Sequence, residues 1–357
     1  MEIYCFSFRY GHFTQRSTVS LHQSLDRFGN DIHFWPLLVA FLLNYGQYIF
    51  IFSAFGACFS YFAAHFTFRM TIYPIETGNF KLDGGAMFGV VPKSIWNRTN
   101  PADQNNMIDL AARCLLIEDG DRLILIDNGL GNKQSDKFFS YYYLWGDHSL
   151  DRSLEKVGFH RDDVTDVFLT HLHFDHCGGS IQWNKDRTGY EPAFKNAKFW
   201  TNKDHWEWAT KPNAREKASF LKENLLPMQE SGQLHFVNRN NGSFQEKSEL
   251  GFGIHFVDGH TDKQMLPHLQ YQGKTLVFVA DLIPTVGHIP LPYVMGYDTR
   301  PLLTLEEKSR FLNQAVENDW LLLFEHDAHN QICSLQQTEK GARLDRVFTY
   351  QELFNTP

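Results

Sequence analysis

Between Thr170 and Gly179 the chain reads Thr-His-Leu-His-Phe-Asp-His-Cys-Gly-Gly, packing His171, His173, Asp175 and His176 into six residues. The string follows Val167-Phe168-Leu169, an apolar run of the kind that ends a buried strand. In extended backbone alternate side chains share a face, so His171, His173 and Asp175 are expected to point the same way. His176 breaks the alternation, which suits a turn into a helix and offers a donor to a second, neighbouring ion. Imidazole with carboxylate favours zinc, iron or manganese over calcium or magnesium. Gly178 and Gly179 allow the backbone to turn tightly beside the metals. A lone His-x-His is more often surface decoration; the full string is a far more specific sign of a metal site.

A dinuclear site takes roughly six or seven protein ligands and a bridging water. Three later positions fit, each at the end of an expected strand. His260 follows Ile254-His255-Phe256-Val257, Asp281 follows Thr275-Leu276-Val277-Phe278-Val279-Ala280, and His326 follows Trp320-Leu321-Leu322-Leu323-Phe324-Glu325. Taken singly, a His or Asp at a strand end more often caps a turn. Their order and placement after the His-rich string shift that balance.

On these residues the chain resembles the metallo-β-lactamase superfamily. The likeness rests on His171-x-His173-x-Asp175-His176, Gly259-His260-Thr261, Asp281 and His326, with Leu123-Ile124-Leu125-Ile126-Asp127-Asn128-Gly129 as the preceding strand and turn. By that resemblance His171, His173 and His260 hold one ion, Asp175, His176 and His326 hold the second, and Asp281 bridges them. Two divalent cations, with zinc the first expectation, are the implied cofactors. Leu82–Lys93 and the run from Asp281 to Asp298 look like the lactonase-type branch, which includes quorum-quenching N-acyl-homoserine lactonases and organophosphate-hydrolysing relatives. The likeness spans Met70 to His326.

Two positions depart from the family pattern. Lys263 stands where the superfamily often has Gly, two residues after the Thr of Gly-His-Thr. Pro284 stands three residues after Asp281, where some lactonases carry a Tyr that steadies the substrate carbonyl. That helper is missing or comes from elsewhere, which counts against an acyl-homoserine lactone as the substrate.

The chemistry this implies is hydrolysis of an ester or lactone. Two cations lower the pKa of a shared water, and the resulting metal-bridging hydroxide attacks the carbonyl while a metal stabilises the oxyanion. Asp175 is the expected catalytic proton carrier to the leaving alkoxide, and Asp127 a candidate to orient a ligand histidine. Among the remaining histidines, His148, His160, His205 and His235 read as packing or surface residues; His268, His288 and His329 fall near the site in sequence and read as non-ligands, with His288 the best candidate for a substrate contact. A glyoxalase II-like thioesterase would share the ligand set. A β-lactamase would need export. A flavodiiron-type redox protein typically has Glu where His173 stands. A tethered binding module without chemistry would need the metals to be absent.

Composition narrows the partners. With 33 Lys and Arg against 41 Asp and Glu, the acidic balance disfavours a nucleic-acid surface, and a nuclease with it. The expected partner is a small-molecule ester or lactone; the sequence does not fix the oligomer. Cys5, Cys58, Cys114, Cys177 and Cys333 are odd in number and scattered, which suits a reducing, cytoplasmic setting more than a disulfide framework.

Residues 1–69 are of another character. From Ile32 to Phe68 there is no Asp, Glu, Lys or Arg. Residues 34–64 are long enough to anchor the chain in a membrane, which takes about 20 apolar residues, although Pro36, Asn44, Gly46 and Gln47 interrupt the run. The equal alternative is a mis-assigned start, with the working domain running from 70 to 357; cleavable export stands well behind both.

Beyond Met70 strands and helices alternate. A hairpin is expected at Cys114–Ile117 and Leu123–Ile126, and helices at 149–157, 204–210 and 214–226. Trp206 and Trp208 either line a pocket there or pack into the helices, packing being the stronger expectation. Thr304-x-x-Glu307 reads as a capping box opening a helix through Val316. The order fits an α/β (α+β) αββα sandwich, two sheets face to face with helices outside and metals at one edge.

Overall fold

A computed structural model describes residues 70–354. The expectations for residues 1–69, a membrane anchor or a mis-assigned start, lie outside the described residues, as do Cys5 and Cys58. No helix among the described residues is long and apolar enough to cross a membrane.

The first half runs β1 (Thr71–Asp83), α1 (Gly84–Phe88), α2 (Lys93–Trp96), β2 (Met107–Asp119), β3 (Arg122–Ile126), α3 (Asp136–Phe139), α4 (Leu150–Lys156), β4 (Asp166–Phe168) and α5 (Phe174–Cys177). A hairpin of β5 (Ile181–Trp183) and β6 (Tyr190–Pro192) precedes β7 (Lys198–Thr201), α6 (Lys203–Thr210), α7 (Lys222–Glu230) and β8 (Leu234–Phe236). The second half runs β9 (Phe244–Gln245), β10 (Gly253–Val257), β11 (Gln264–Tyr271), β12 (Lys274–Phe278), α8 (Pro301–Glu317), β13 (Leu321–Leu323), β14 (Ile332–Thr338), β15 (Gly341–Phe348) and α9 (Tyr350–Phe354).

Strands β1-β2-β3-β4-β7-β8 form one sheet, and β15-β14-β13-β12-β11-β10-β9 form the other. Period-two alternation places them face to face. Leu115, Ile117, Ile124 and Ile126 point inward against Ile254, Phe256, Leu266 and Leu276 of the second sheet. Their alternates Cys114, Leu116, Leu123 and Leu125 point outward onto Leu150 and Leu154 of α4 and Leu225 of α7. Phe311, Leu312 and Ala315 of α8 cover the far side of the second sheet. This is the αββα sandwich expected from the order of elements.

The β2–β3 hairpin forms as expected, pairing Leu115 with Ile126 and Ile117 with Ile124. Ser149 caps α4 by accepting from Arg152 N, and Gly158 ends it at φ +89°. Two expectations fail. Residues 214–221 are not helical, and α7 begins only at Lys222. Asn213 Oδ1 accepts from the backbone N–H groups of Arg215 and Glu216, a local alternative to helix that turns Glu216 inward. The Thr304–Glu307 pair lies inside α8, which opens at Pro301, and caps nothing there. Glu307 instead accepts from Asp258 N at 2.8 Å and Gly259 N at 2.9 Å, holding the loop that carries His260.

Candidate metal centre

All seven expected site residues gather at one edge of the sandwich, in loops that leave strand ends. His171 and His173 follow β4, and Asp175 and His176 sit on the single turn of α5, for which His173 is the N-cap residue. Asp175 therefore leaves the extended alternation expected for it. His260 follows β10, Asp281 follows β12 and His326 follows β13. Gly178 and Gly179 serve a close approach: a Cβ on the first would run into the carbonyl oxygen of Leu130, and on the second into that of Asn128. That contact seats α5 on the turn after β3.

The donors fall into two adjoining groups, His171, His173, His260 and Asp281, and Asp175, His176 and His326. In the first, His173 Nδ1 lies 3.0 Å from His171 Nε2 and 3.1 Å from His260 Nε2. In the second, His176 Nε2 and His326 Nε2 are 3.1 Å apart, and the Asp175 carboxylate stands 3.8–3.9 Å from them. Asp281 faces both groups. Its Oδ2 is 3.1 Å from His260 Nε2, and its Oδ1 is 3.1 Å from His326 Nε2 and 3.4 Å from His176 Nε2.

The opposite ring nitrogens turn to acceptors. His260 Nδ1 meets Asp298 Oδ1 at 2.9 Å, and His326 Nδ1 meets the carbonyl of Ala111 at 2.9 Å. His176 Nδ1 lies 2.9 Å from Glu325 Oε2 and 3.2 Å from Asp127 Oδ2. His171 Nδ1 meets the hydroxyl of Thr170, which itself donates to Asp127 at 2.6 Å. Asp127 thus orients His176 and also caps the strand end by accepting from Thr170 N. This acceptor pattern assigns the ring protons outward, leaving lone pairs that face each other across about 3 Å. Such a cage is repulsive among neutral imidazoles and favourable around a cation, so the residues present fit the expected metals.

Electrostatics divide the donors. Burial, with neighbouring imidazoles, holds His171 well below its usual range, and burial lowers His173 as well, so both present neutral lone pairs. Burial opposes charge on His326, but Asp281 outweighs it and raises that group to about 9; His260 is raised by the same carboxylate. Asp281 stays ionised despite its burial, because His176, His326 and His260 surround it.

The other histidines separate cleanly. His288, expected to touch substrate, is instead taken up in packing: it is buried, stacked on Phe88 at 4.2 Å, with Nδ1 on Thr285 Oγ1 and Nε2 on Met87 O. Both nitrogens are occupied in packing. His205 is buried and accepts from Leu172 N, pinning the ligand loop from behind, and His268 packs edge-on against Trp320. Trp206 packs in the core beneath α6, whereas Trp208 donates to Glu216. Cys177 is a small buried packing residue whose thiol burial pushes up to about 12.

Sequence reasoning missed Glu216, Asp298 and Glu325, the carboxylates behind His173, His260 and His176. Glu325 adjoins His326 and could have been found by proximity; Glu216 and Asp298 lie about forty residues from their partners, and only Asp298 falls in a stretch that carries the family likeness.

A model of the metallo-beta-lactamase superfamily matches residues 108–326. An N-acyl homoserine lactonase of a Bacillus species is 25% identical over 240 residues, 63% of this chain and 84% of that protein. A second N-acyl homoserine lactonase, from Bacillus thuringiensis, is 26% identical over 108 residues, 26% of this chain and 43% of its own length. Among solved structures, a probable metal-dependent hydrolase from Staphylococcus aureus superposes with a TM-score of 0.68 at 26% identity, covering 78% of this chain and 96% of that one. A dizinc quorum-quenching lactonase shares the fold with a TM-score of 0.62 at 20% identity, over 78% and 95% of the two chains. With that match laid over this fold and donor set, the chain belongs to the metallo-β-lactamase superfamily and is a metal-dependent hydrolase.

Proposed function

We propose that this hydrolase is dinuclear and cleaves a small-molecule ester or lactone. The observation that carries the reading is Asp281, with one carboxylate oxygen turned to each donor group. His171, His173 and His260 would hold one ion, Asp175, His176 and His326 the other, with zinc the cation best suited to this donor set. When bound, the pair would supply an activated water and an electrophile for the carbonyl. The protein's own contribution is orientation and proton handling. Asp127, Glu325 and Asp298 fix the rings of His176 and His260, and Asp175, on the single turn of α5, would pass a proton to the departing oxygen.

Pro284 leaves no phenol beside Asp281, but two tyrosines lie within the electrostatic reach of Asp175. Burial and that carboxylate push the Tyr142 hydroxyl up to about 12, and partial burial with the nearby carboxylates of Asp83 and Asp175 raises the Tyr297 hydroxyl, on a side chain 39% exposed, so both stay protonated donors. Either could steady a substrate carbonyl. The similarity to N-acyl homoserine lactonases supports a lactone as substrate.

The test is metal content and hydrolysis of a panel of lactones, aryl esters and S-lactoylglutathione, on the full chain, on a chain beginning at Met70, and on His173→Ala. About two metals per chain, turnover of an ester or lactone, and loss of turnover with about one metal in His173→Ala are expected, with the Met70 form retaining activity as a self-contained domain. A folded chain that takes up no metal and cleaves nothing would sink the reading. Turnover of the thioester alone would move it to the glyoxalase II-like alternative.

A further inference from the structure

The segment joining α6 to α7 carries a buried carboxylate that belongs to neither donor group. Glu216 is 3% exposed. Its Oε2 accepts from Trp208 Nε1 at 2.8 Å and from Asn213 Nδ2 at 2.6 Å. Its Oε1 faces His173 Nε2 at 3.5 Å, and neither of those two atoms has a nearer hydrogen-bond partner. The same segment lays the Phe220 ring against His173, centroids 4.7 Å apart, and its Ser219 carbonyl accepts from Phe174 N. His173 is also the one histidine of the first group that turns Nδ1, not Nε2, toward the other donors. An ionised carboxylate at Nε2 accepts a proton-bearing nitrogen and repels a lone pair.

We propose that Glu216 is a positioning residue for the first metal: it keeps the His173 proton on Nε2, leaves Nδ1 free to ligate, and so ties metal affinity to the segment between α6 and α7. The proposal rests on the dinuclear reading above and adds to it a residue outside the ligand motif. A lone carboxylate that merely anchored its own loop would need only Trp208 and Asn213, both within eight residues of it. Glu216 also interacts with Thr261, next to His260, and its second oxygen is aimed at His173, so both contacts reach beyond its own loop to ligand-bearing segments.

Replacement by an isostere separates the two roles. In Glu216→Gln the two donors, Trp208 and Asn213, draw the amide oxygen to the Oε2 position. The amide NH2 then faces His173 Nε2 and favours the opposite tautomer, with the proton on Nδ1 where it blocks ligation. The readout is zinc titrated against a competing chelator on the full chain, with the melting temperature of the metal-free protein as a control. One of two zinc sites is expected to weaken by about 10–100-fold while the other is unchanged. Adding Asn213→Asp together with Trp208→Phe removes both donors, lets the substituted side chain turn so that its amide oxygen faces His173, and should recover most of the lost affinity. Wild-type affinity at both sites in Glu216→Gln would overturn the proposal. So would equal weakening of both sites, or weakening that Asn213→Asp with Trp208→Phe does not reverse, since either marks a purely architectural part. A wild-type chain that takes up no zinc would instead sink the dinuclear reading, and this proposal with it.

Discussion

Lys263 is held at φ +55°, a left-handed conformation that favours glycine, and it stands where the superfamily often has one. The structure shows what offsets the strain. Asp258 accepts from Lys263 N at 2.8 Å and from its ammonium at 2.6 and 2.7 Å, closing the loop that carries His260. Relief of a left-handed side chain is worth about 1–2 kcal/mol, and the flexibility of glycine with the loss of a partly exposed ion pair costs a similar amount. Lys263→Gly should therefore change stability by no more than about 1 kcal/mol in urea unfolding and leave zinc uptake intact. A collapse of metal binding would show that Asp258 needs its lysine. The motif residues were legible because imidazole and carboxylate packed into a six-residue string suit little besides a metal. His288 misled for the complementary reason: nearness to Asp281 in sequence says nothing about which way a ring faces, and here it packs on Phe88.

At the level of elements, strands read well and loops poorly. Period-two alternation in β2 and β3 and the apolar runs before His171, His260, Asp281 and His326 come from local sequence, and the strands they form bring the donors to one edge. The stretch 214–221 failed because the preference of Asn213 for its own backbone competes with helix, and because Glu216 is drawn into the core by residues far away. Glu307 looked like a cap for α8 and is a brace for another loop. Its carboxylate satisfies two backbone N–H groups beside His260, and Gly259 sits so near Thr304 that a Cβ would meet its backbone at 2.5 Å. Glu307→Ala would strand those donors in a largely buried setting, a loss of about 1–3 kcal/mol in urea unfolding. Zinc affinity in the group containing His260 should fall alongside. Unchanged stability would mean that the loop finds other acceptors.

For the molecule as a whole, the site's charge couples metal binding to pH. Burial alone would lower His260 and His326, but Asp281 dominates and raises both, His326 to about 9. A group raised in the folded state adds stability to the metal-free protein below its unfolded pKa near 6.5, and that contribution is lost as pH rises through about 9. Metal binding runs the other way, because a ligating imidazole must give up its proton. Between about pH 6.5 and 9 zinc affinity should climb as pH rises, with about one proton or more released per chain at pH 7.5. Calorimetry in buffers of different ionisation enthalpy reads that number directly; zero release would mean the histidines are already neutral.

Each donor group draws on both halves of the chain: His171, His173, Asp175 and His176 come from the first sheet, His260, Asp281 and His326 from the second. A cation in either group is therefore a cross-link between the two sheets, closed only after residues far apart in the chain have met. Neither half can assemble a cage alone, so tight metal uptake would wait for the sandwich to close and would then act as a rivet. At free zinc a hundredfold above its dissociation constant, one such rivet adds about 2.7 kcal/mol against unfolding. Zinc supply would then govern how long the folded chain survives as well as how fast it works.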